Sequence, residues 1–142
     1  YGEGTLRCQL EQQVTQLGLN KYVFLPGNKT DINNWVAKSS IFVMPSDYEG
    51  LSNALIEAMM QGKACISTNY PGANELIKNG ENGLIVHCGD SKELAYAINT
   101  LLGKKELRKK LGDEAMADSK KFKKEYVIEQ WKNVISYIIL QK

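Results

Sequence analysis

Hydrophobic residues along this chain recur at two spacings, one helical and one extended. The helical spacing comes first, in Leu6, Leu10, Val14 and Leu17. It predicts a helix, and Gly18 is placed to end it. Beyond this helix, short apolar runs alternate with further helical stretches as far as Asp90.

Four of the short apolar runs predict β-strands, because each consists of strand-forming residues bounded by turn residues. They are Tyr22–Leu25, Ile41–Met44, Ala64–Ser67 and Gly83–Val86. The Ile41–Met44 run is wholly apolar, so we expect this strand to be buried on both faces of a sheet. The helices predicted between the runs are a short one that Thr30 or Asp31 can cap, one from about Ser52 to Gln61, and Ala73–Lys78.

This alternation of strand and helix determines the predicted fold class. Strands joined by single helices over short connections run parallel, with right-handed crossovers. We therefore predict an α/β fold, a Rossmann-like open parallel sheet flanked by helices. In such sheets ligands bind beyond the carboxyl ends of the strands. Gly27 and Asn28 follow one predicted strand and Glu49 follows the next, so both loops are expected to face one crevice.

The chain after Asp90 is predicted to be entirely helical. Its last helix carries two apolar stripes, formed by Val127, Trp131, Val134 and Ile138 and by Ile128, Ile135 and Ile139. The preferred interpretation is that this helix packs on the sheet of its own domain. The alternative is that the part around Trp131 to Tyr137 packs on a neighbouring domain. Lysines between Lys104 and Lys124 interleave with acidic residues, which favours a solvated surface over an anionic-membrane patch.

Length and composition fit one globular domain over residues 1–142. Hydrophobic residues make up 43% of the chain, enough for a core and too many for a disordered segment. The formal net charge of +2 is too small to indicate nucleic-acid binding. No apolar run approaches the roughly 18 residues of a membrane span, and there is no signal-peptide pattern. These features favour a cytoplasmic protein.

Cysteine and histidine usage removes several kinds of chemistry. The three cysteines, Cys8, Cys65 and Cys88, are far apart and lack metal-site spacing, so we expect reduced thiols and no metal. His87 is the only histidine, which excludes most Ser–His and Cys–His schemes unless His87 itself serves. Its position beside a predicted strand is more typical of a rim residue than of a catalyst. No cofactor is expected.

Two glutamates around one predicted helix start form the candidate site. Glu49 lies just past the Ile41–Met44 strand, and Glu57 lies eight positions later inside the following helix. Between them Gly50 opens a turn, and Ser52 or Asn53 is available as the helix cap. The free N–H groups of a helix N-terminus favour anions, whereas carboxylates accept hydrogen bonds from sugar hydroxyls. The arrangement suits a sugar nucleotide.

Each element of this site also has a plainer interpretation. Taken alone, Glu57 is an ordinary residue of an exposed helix stripe, and Glu49 is an acid in a turn. The glycine pair of Gly2–Gly4, at a predicted strand-to-helix turn, allows close backbone approach. It lacks the third glycine of a dinucleotide-binding fingerprint, so it is a weak signal. The joint placement of the two glutamates is what favours a binding site.

The same residues resemble a known family. The run Glu49–Ala58 is similar to the paired-glutamate motif, E-x7-E, of retaining glycosyltransferases with the GT-B fold, and it is closest to their fourth family. The likeness extends in order along almost the whole chain. It includes Gly2–Gly4, Val23–Gly27, Ile41–Ser46, Gly62–Ala64, Pro71–Ile77 and Asn82–Val86.

The resemblance implies that the chain is the C-terminal, donor-binding half of a two-domain enzyme. It implies that Glu57 binds the ribose and that Glu49, the catalytic contact, reaches hydroxyls of the donor sugar. The other donor-binding residues are implied to be Gly50, Leu51, Ser52, Asn53, Gly27, Asn28 and Gly4. Neither glutamate is expected to be a nucleophile, because retention in this family is ascribed to front-face attack assisted by the leaving diphosphate.

For the whole protein the resemblance implies transfer of a hexose or N-acetylhexosamine to a glycan or lipid-linked acceptor, in surface polysaccharide synthesis. The donor is expected to be a nucleotide-diphosphate sugar, with uridine diphosphate the leading choice and no metal required. The family's basic diphosphate clamp sits upstream of Gly2–Gly4, and its acceptor site lies in an N-terminal domain. We therefore expect a fragment that binds nucleotide weakly and does not turn over. Any peripheral attachment to the inner face of the membrane is expected to reside in the missing half.

Two other functions stay open at this point. A nucleotide-sugar epimerase shares this fold, but it needs further acids and a histidine around the cleft, and this chain offers only His87. A non-catalytic sugar-nucleotide-binding module would keep the same site and perform no transfer. Turnover by the full-length protein, compared with binding by this chain, separates such a module from a transferase.

Overall fold

The computed structural model describes residues 2–140, which form two compact units, one extending to Trp35 and the other beginning at Val36. Helix α1, Arg7–Gln16, lies in the first unit, and α2, Ile32–Lys38, spans the boundary. Gly18 ends α1 with φ +66°, and the Leu19 N–H donates to the Val14 carbonyl (2.9 Å). This is the left-handed glycine stop that the sequence predicted.

The second unit is built on a three-stranded parallel sheet in the order β1–β2–β3. The strands are Ile41–Met44, Ala64–Thr68 and Leu84–Val86. Helix α3, Asn53–Met60, connects β1 to β2, and α4, Pro71–Leu76, connects β2 to β3. The predicted α/β class, with parallel strands and helical crossovers, is confirmed.

The core of the second unit lies around the central strand. All five residues of β2 are buried, and Ile66 is fully enclosed. The main cluster consists of Ala64, Ile66, Val86, Ala97, Leu101 and Leu111. The prediction that β1 is buried on both faces is wrong, because all four of its residues are half-buried. Within the described residues β1 is an edge strand, with a neighbour on one side only.

The predicted strand over Tyr22–Leu25 is not formed. The segment is a loop with largely exposed side chains, and Phe24 is 74% exposed. A strand requires a ladder of hydrogen bonds to a neighbour, and no strand lies among the described residues of the first unit. The loop is held instead by Arg7, whose Nη2 donates to the Leu25 carbonyl (2.8 Å).

From Ser91 to Leu140 the described chain is helical apart from short connections, as predicted. Helices α5, Ser91–Gly103, and α6, Lys105–Asp118, are followed by a 3₁₀ turn, Ser119–Phe122, and by α7, Lys124–Leu140. The Asp90 carboxylate caps α5 by accepting from the amides of Lys92 (3.0 Å) and Glu93 (2.9 Å).

Helix α7 corrects the preferred interpretation of the last apolar stripes. No residue of α7 is buried, and Trp131 is 64% exposed, so packing of this helix on the sheet of its own unit is wrong. The 3₁₀ turn and the extended backbone at Lys123 (φ −64°, ψ 143°) separate α7 from α6, and α7 contacts mainly that turn. Within residues 2–140, no helix has the length and apolar content to cross a membrane.

Candidate functional site

The loop from Pro45 to Ser52, here called the β1–α3 loop, leaves the carboxyl end of β1 and leads into α3. Ser52 is buried and is the helix cap, since its Oγ accepts from the Leu55 amide (3.4 Å). Asn53, the other predicted cap, is the first helical residue. Within residues 2–140 the amides of Leu51, Ser52 and Asn53 have no hydrogen-bond acceptor. These free N–H groups make the start of α3 electropositive.

Glu57 lies on the exposed face of α3. The opposite face is buried through Leu55, Ile56, Ala58 and Met59, which fixes the rotation of the helix. Glu57 is exposed and lies four residues after Asn53, so the two share one stripe that leads from the helix start. In the described residues its carboxylate has no hydrogen-bond or ion-pair partner. It is available to a ligand above the N-terminus of α3.

Glu49 lies in the β1–α3 loop and is half-buried. The Ser46 hydroxyl donates to Glu49 Oε2 (3.4 Å), which anchors the carboxylate to the start of the same loop. One oxygen of Glu49 is thereby partly engaged and the other is open to a further donor. The structure thus brings both predicted glutamates to one helix start, one before it and one after it.

Side chains at and just beyond the carboxyl ends of β2 and β3 contact backbone carbonyls at the start of the β1–α3 loop. The Thr68 hydroxyl donates to the Ser46 carbonyl and lies 3.4 Å from the Met44 carbonyl. The Ser67 hydroxyl also lies 3.3 Å from the Met44 carbonyl. The Cys88 thiol lies 3.8 Å from the Asp47 carbonyl oxygen. The start of the loop is therefore held to the sheet by side chains that the sequence did not predict to lie at the site.

The residues predicted to border the nucleotide from the other loop lie in the first unit. Gly27 is buried with φ +71°, and its carbonyl accepts from the Gly2 amide (3.2 Å), whereas Gly4 and Asn28 are exposed. A cavity of about 310 Å³ lies between the start of α1 and this loop; its lining includes Glu3, Arg7, Phe24 and Gly27.

Arg7 lines that cavity and forms ion pairs with two carboxylates. Its guanidinium donates to Glu3 (2.6 Å) and Glu11 (2.8 Å), and these two carboxylates raise the pKa of Arg7. The charged Arg7 guanidinium is therefore already paired with carboxylates within the first unit.

A smaller cavity of about 170 Å³ lies at the carboxyl edge of the sheet and is lined in part by Asp47, Thr68 and His87. His87 is exposed at its rim, as expected, and its Nδ1 lies 2.8 Å from Glu93 Oε2. The His87 backbone N–H donates to the same oxygen (2.7 Å), and the two contacts lower the pKa of Glu93. Within residues 2–140 no group of acids, cysteines and histidines is arranged to hold a metal.

The cysteines are free thiols, as predicted. Cys65 is buried in β2, and burial raises its pKa to about 12, so its thiol is inert. Cys8 and Cys88 are exposed.

An open parallel sheet flanked by helices, with a helix N-terminus at its carboxyl edge, is an α/β domain of the Rossmann type, a class that typically binds ligands at this edge. Residues 1–118 match the sequence profile of the glycosyl transferases group 1. The chain belongs to this family, and its predicted likeness to GT-B glycosyltransferases is confirmed.

Individual relatives agree with this assignment. The chain is 34% identical over 112 residues to the lipopolysaccharide core biosynthesis glycosyltransferase LpsE of Rhizobium meliloti, covering 79% of this chain and 33% of that protein. It is 33% identical over 138 residues to a Campylobacter jejuni GalNAc-alpha-(1->4)-GalNAc-alpha-(1->3)-diNAcBac-PP-undecaprenol alpha-1,4-N-acetyl-D-galactosaminyltransferase, covering 96% and 38%. Anabaena Alr3699/HepE, solved in complex with UDP-glucose, matches with TM-score 0.86 and 30% identity over 96% of this chain and 38% of that one.

The chain thus spans about a third of the length of these relatives. The family and the fold are those of glycosyltransferases that use nucleotide sugars.

Proposed function

We propose that this chain is the donor-binding half of a retaining glycosyltransferase of the fourth GT-B family. The observation that carries the proposal is the placement of Glu49 and Glu57 on either side of the α3 N-terminus, whose leading amides are free. A UDP-linked hexose or N-acetylhexosamine is the proposed donor, since HepE was solved with UDP-glucose and the Campylobacter relative is named as an N-acetylgalactosaminyltransferase. The setting is surface polysaccharide synthesis.

The proposed roles follow from the chemistry of each group. The Glu57 carboxylate accepts from both ribose hydroxyls, as an exposed and unpaired acid can. Glu49 accepts from hydroxyls of the donor sugar, and its bond from Ser46 orients it. The amides of Leu51, Ser52 and Asn53 face the diphosphate, where the partial positive charge of the helix start is most useful.

In this scheme neither glutamate attacks the sugar. Transfer requires stabilisation of the departing diphosphate, and preoriented N–H groups supply it without a buried acid–base pair. Acceptor attack from the same face, with the diphosphate taking the proton, keeps the configuration. No metal is part of the proposal.

The part of the longer relatives that this chain does not span is proposed to bind the glycan or lipid-linked acceptor. The 142 residues alone are then expected to bind donor without transferring the sugar. The exposed stripe of α7 around Trp131 is proposed to pack against that neighbouring domain, because none of its residues is covered in the described part of the chain. We place the whole protein in the cytoplasm, with peripheral attachment at the inner membrane face residing in that other domain.

The proposal is tested by calorimetric or NMR titration of the chain with uridine, guanosine and adenosine diphosphates. We expect Glu57→Ala to weaken the preferred diphosphate by about 10–100-fold, because a charge-assisted pair of hydrogen bonds is lost. Glu114→Ala is the matched control, since Glu114 is also an exposed glutamate on a helix, α6.

The outcomes separate the candidate functions. Binding of one diphosphate that is lost only in Glu57→Ala supports the donor site and identifies the base. Equal affinity in Glu57→Ala and Glu114→Ala would remove Glu57 from the site. If the full-length protein binds the nucleotide sugar and transfers nothing, the chain belongs to a non-catalytic binding module instead.

A further inference from the structure

The first turn of α4 lies against the backbone of the β1–α3 loop. Gly72, the second residue of α4, is buried, and a Cβ built on it would lie 2.5 Å from the Gly50 carbonyl carbon and 3.1 Å from the Leu51 nitrogen. It would overlap the Gly50 carbonyl oxygen outright. The φ of Gly72 is outside the left-handed region, so the requirement for glycine is steric and does not come from its own backbone.

The geometry of this contact shows where the Leu51 N–H points. The peptide between Gly50 and Leu51 is trans, so its C=O and N–H point in opposite directions. The Gly50 oxygen is the atom nearest to the built Cβ of Gly72, and therefore the carbonyl faces α4. The Leu51 N–H faces away from α4, and it has no acceptor within residues 2–140.

We propose that Gly72 is a positioning residue that sets the direction of the Leu51 amide toward the diphosphate of the donor, which rests on the donor site proposed above. Because Gly72 has no side chain, the Gly50–Leu51 peptide packs directly on α4 with its N–H turned outward. A methyl group at this position pushes the peptide off α4 and turns or displaces that N–H.

The rest of the site is held independently of this contact. Glu57 is carried by α3, whose Leu55, Ala58 and Met59 are almost fully enclosed in the core. Gly50 and Leu51 are exposed and lie outside this core. A change at position 72 is therefore expected to affect diphosphate binding and to leave ribose binding by Glu57 in place.

The test compares Gly72→Ala with two other glycine-to-alanine variants. Gly112 in α6 is also buried, and a Cβ on it would lie 3.0 Å from the Gly62 carbonyl carbon, so Gly112→Ala makes the same kind of collision away from the loop. Gly103 has no atom within 4 Å of its built Cβ, so Gly103→Ala controls for the substitution itself. Each variant is titrated with uridine and with uridine diphosphate by NMR.

We expect Gly72→Ala to weaken uridine diphosphate by about 10-fold or more, the effect of losing one hydrogen bond to a charged group, while uridine changes by less than about 3-fold. In Gly112→Ala and Gly103→Ala, the ratio of the affinity for uridine diphosphate to that for uridine should be the same as in the unsubstituted chain. An unchanged ratio in Gly72→Ala, or the same change in Gly112→Ala, would overturn the positioning role. If the unsubstituted chain binds uridine diphosphate no more tightly than uridine, the positioning role of Gly72 is also refuted. Binding of neither ligand would refute the donor site itself.

Should Gly72→Ala fail to fold, Leu51→Pro tests the same amide by removing its N–H directly. Proline removes the N–H at a position whose N–H has no acceptor within residues 2–140, and Gly103→Ala again controls for a substitution away from the loop. Loss of uridine diphosphate with uridine retained in Leu51→Pro, but not in Gly103→Ala, supports the role of this amide. The same ratio of the two affinities in Leu51→Pro and Gly103→Ala would contradict it.

Discussion

The side chain of Asn82 joins three parts of the second unit from a buried position. It is 1% exposed, and its Nδ2 donates to the Leu76 carbonyl (3.1 Å) and to Asp118 Oδ2 (2.8 Å). Its Oδ1 accepts from the Lys78 amide (2.7 Å). One amide group thus ties the end of α4 and the turn before β3 to the end of α6.

We predict that Asn82→Ala destabilises the chain by about 2.5–4 kcal/mol. Two neutral hydrogen bonds contribute about 0.5–1.5 kcal/mol each, and the bond to a carboxylate about 1.5–3 kcal/mol. For the bond to the carboxylate, the upper end of its range is not expected, because Asp118 is partly exposed and keeps its ion pair with Lys78 (3.3 Å). Asp118 can therefore recover hydration when Asn82 is removed.

Urea unfolding followed by circular dichroism measures this change, with Asn79→Ala as the control from the same turn. Asn79 is exposed, and its Oδ1 accepts one bond, from the Ile85 amide (3.0 Å). Its loss should cost about 0.5–1.5 kcal/mol. If Asn82→Ala loses no more stability than Asn79→Ala, the three bonds of Asn82 do not act as buried ties, and the reasoning fails.

Three further predictions follow from the same structure. Glu49→Ala should leave free uridine diphosphate almost unaffected and weaken only UDP-sugar; equal effects of Glu49→Ala and Glu57→Ala on free nucleotide would refute the division of roles. The lowered pKa of Glu93 means that its contact with His87 stabilises the fold above the ordinary carboxyl range and is lost as the pH falls through the lowered value. Glu93→Gln should therefore flatten the acid side of the stability curve in urea unfolding, and an unaltered curve would argue against it. Trp131→Ser should change the stability of this chain by less than about 0.5 kcal/mol but lower the melting temperature of the longer protein, which tests the proposed neighbouring domain.

The elements that the sequence predicted well are those whose signal is local. The Ile41–Met44 strand has the predicted bounds because an unbroken apolar run meets Pro45, and α3 begins where Ser52 caps it. Gly18 ends α1 as expected. In each case the residues that determine the element lie within a few positions of it.

The predictions that failed needed information from other segments. Tyr22–Leu25 has strand-forming residues, but a strand exists only when a partner supplies its hydrogen bonds, and the described residues of the first unit hold none. The apolar stripes of α7 indicate a buried contact without indicating with what, and the helix is uncovered in residues 2–140. A hydrophobic pattern predicts that a face is to be covered, and it does not identify the partner.

The candidate site likewise combines residues with a local sequence signal and residues whose contacts come from other segments. Glu49 and Glu57 were proposed from their spacing, and their positions around the start of α3 follow because a strand end and a helix start place them relative to one another. Gly72 and Thr68 were missed, since their contacts with the β1–α3 loop come from α4 and β2 packing beside it. The direction of a backbone N–H depends on what presses on the other side of its peptide, and no local pattern encodes that. The charged residues proposed for the site can therefore be predicted from the sequence of this chain, whereas the close contact of Gly72 with the Gly50–Leu51 peptide is visible only once α4 is in place.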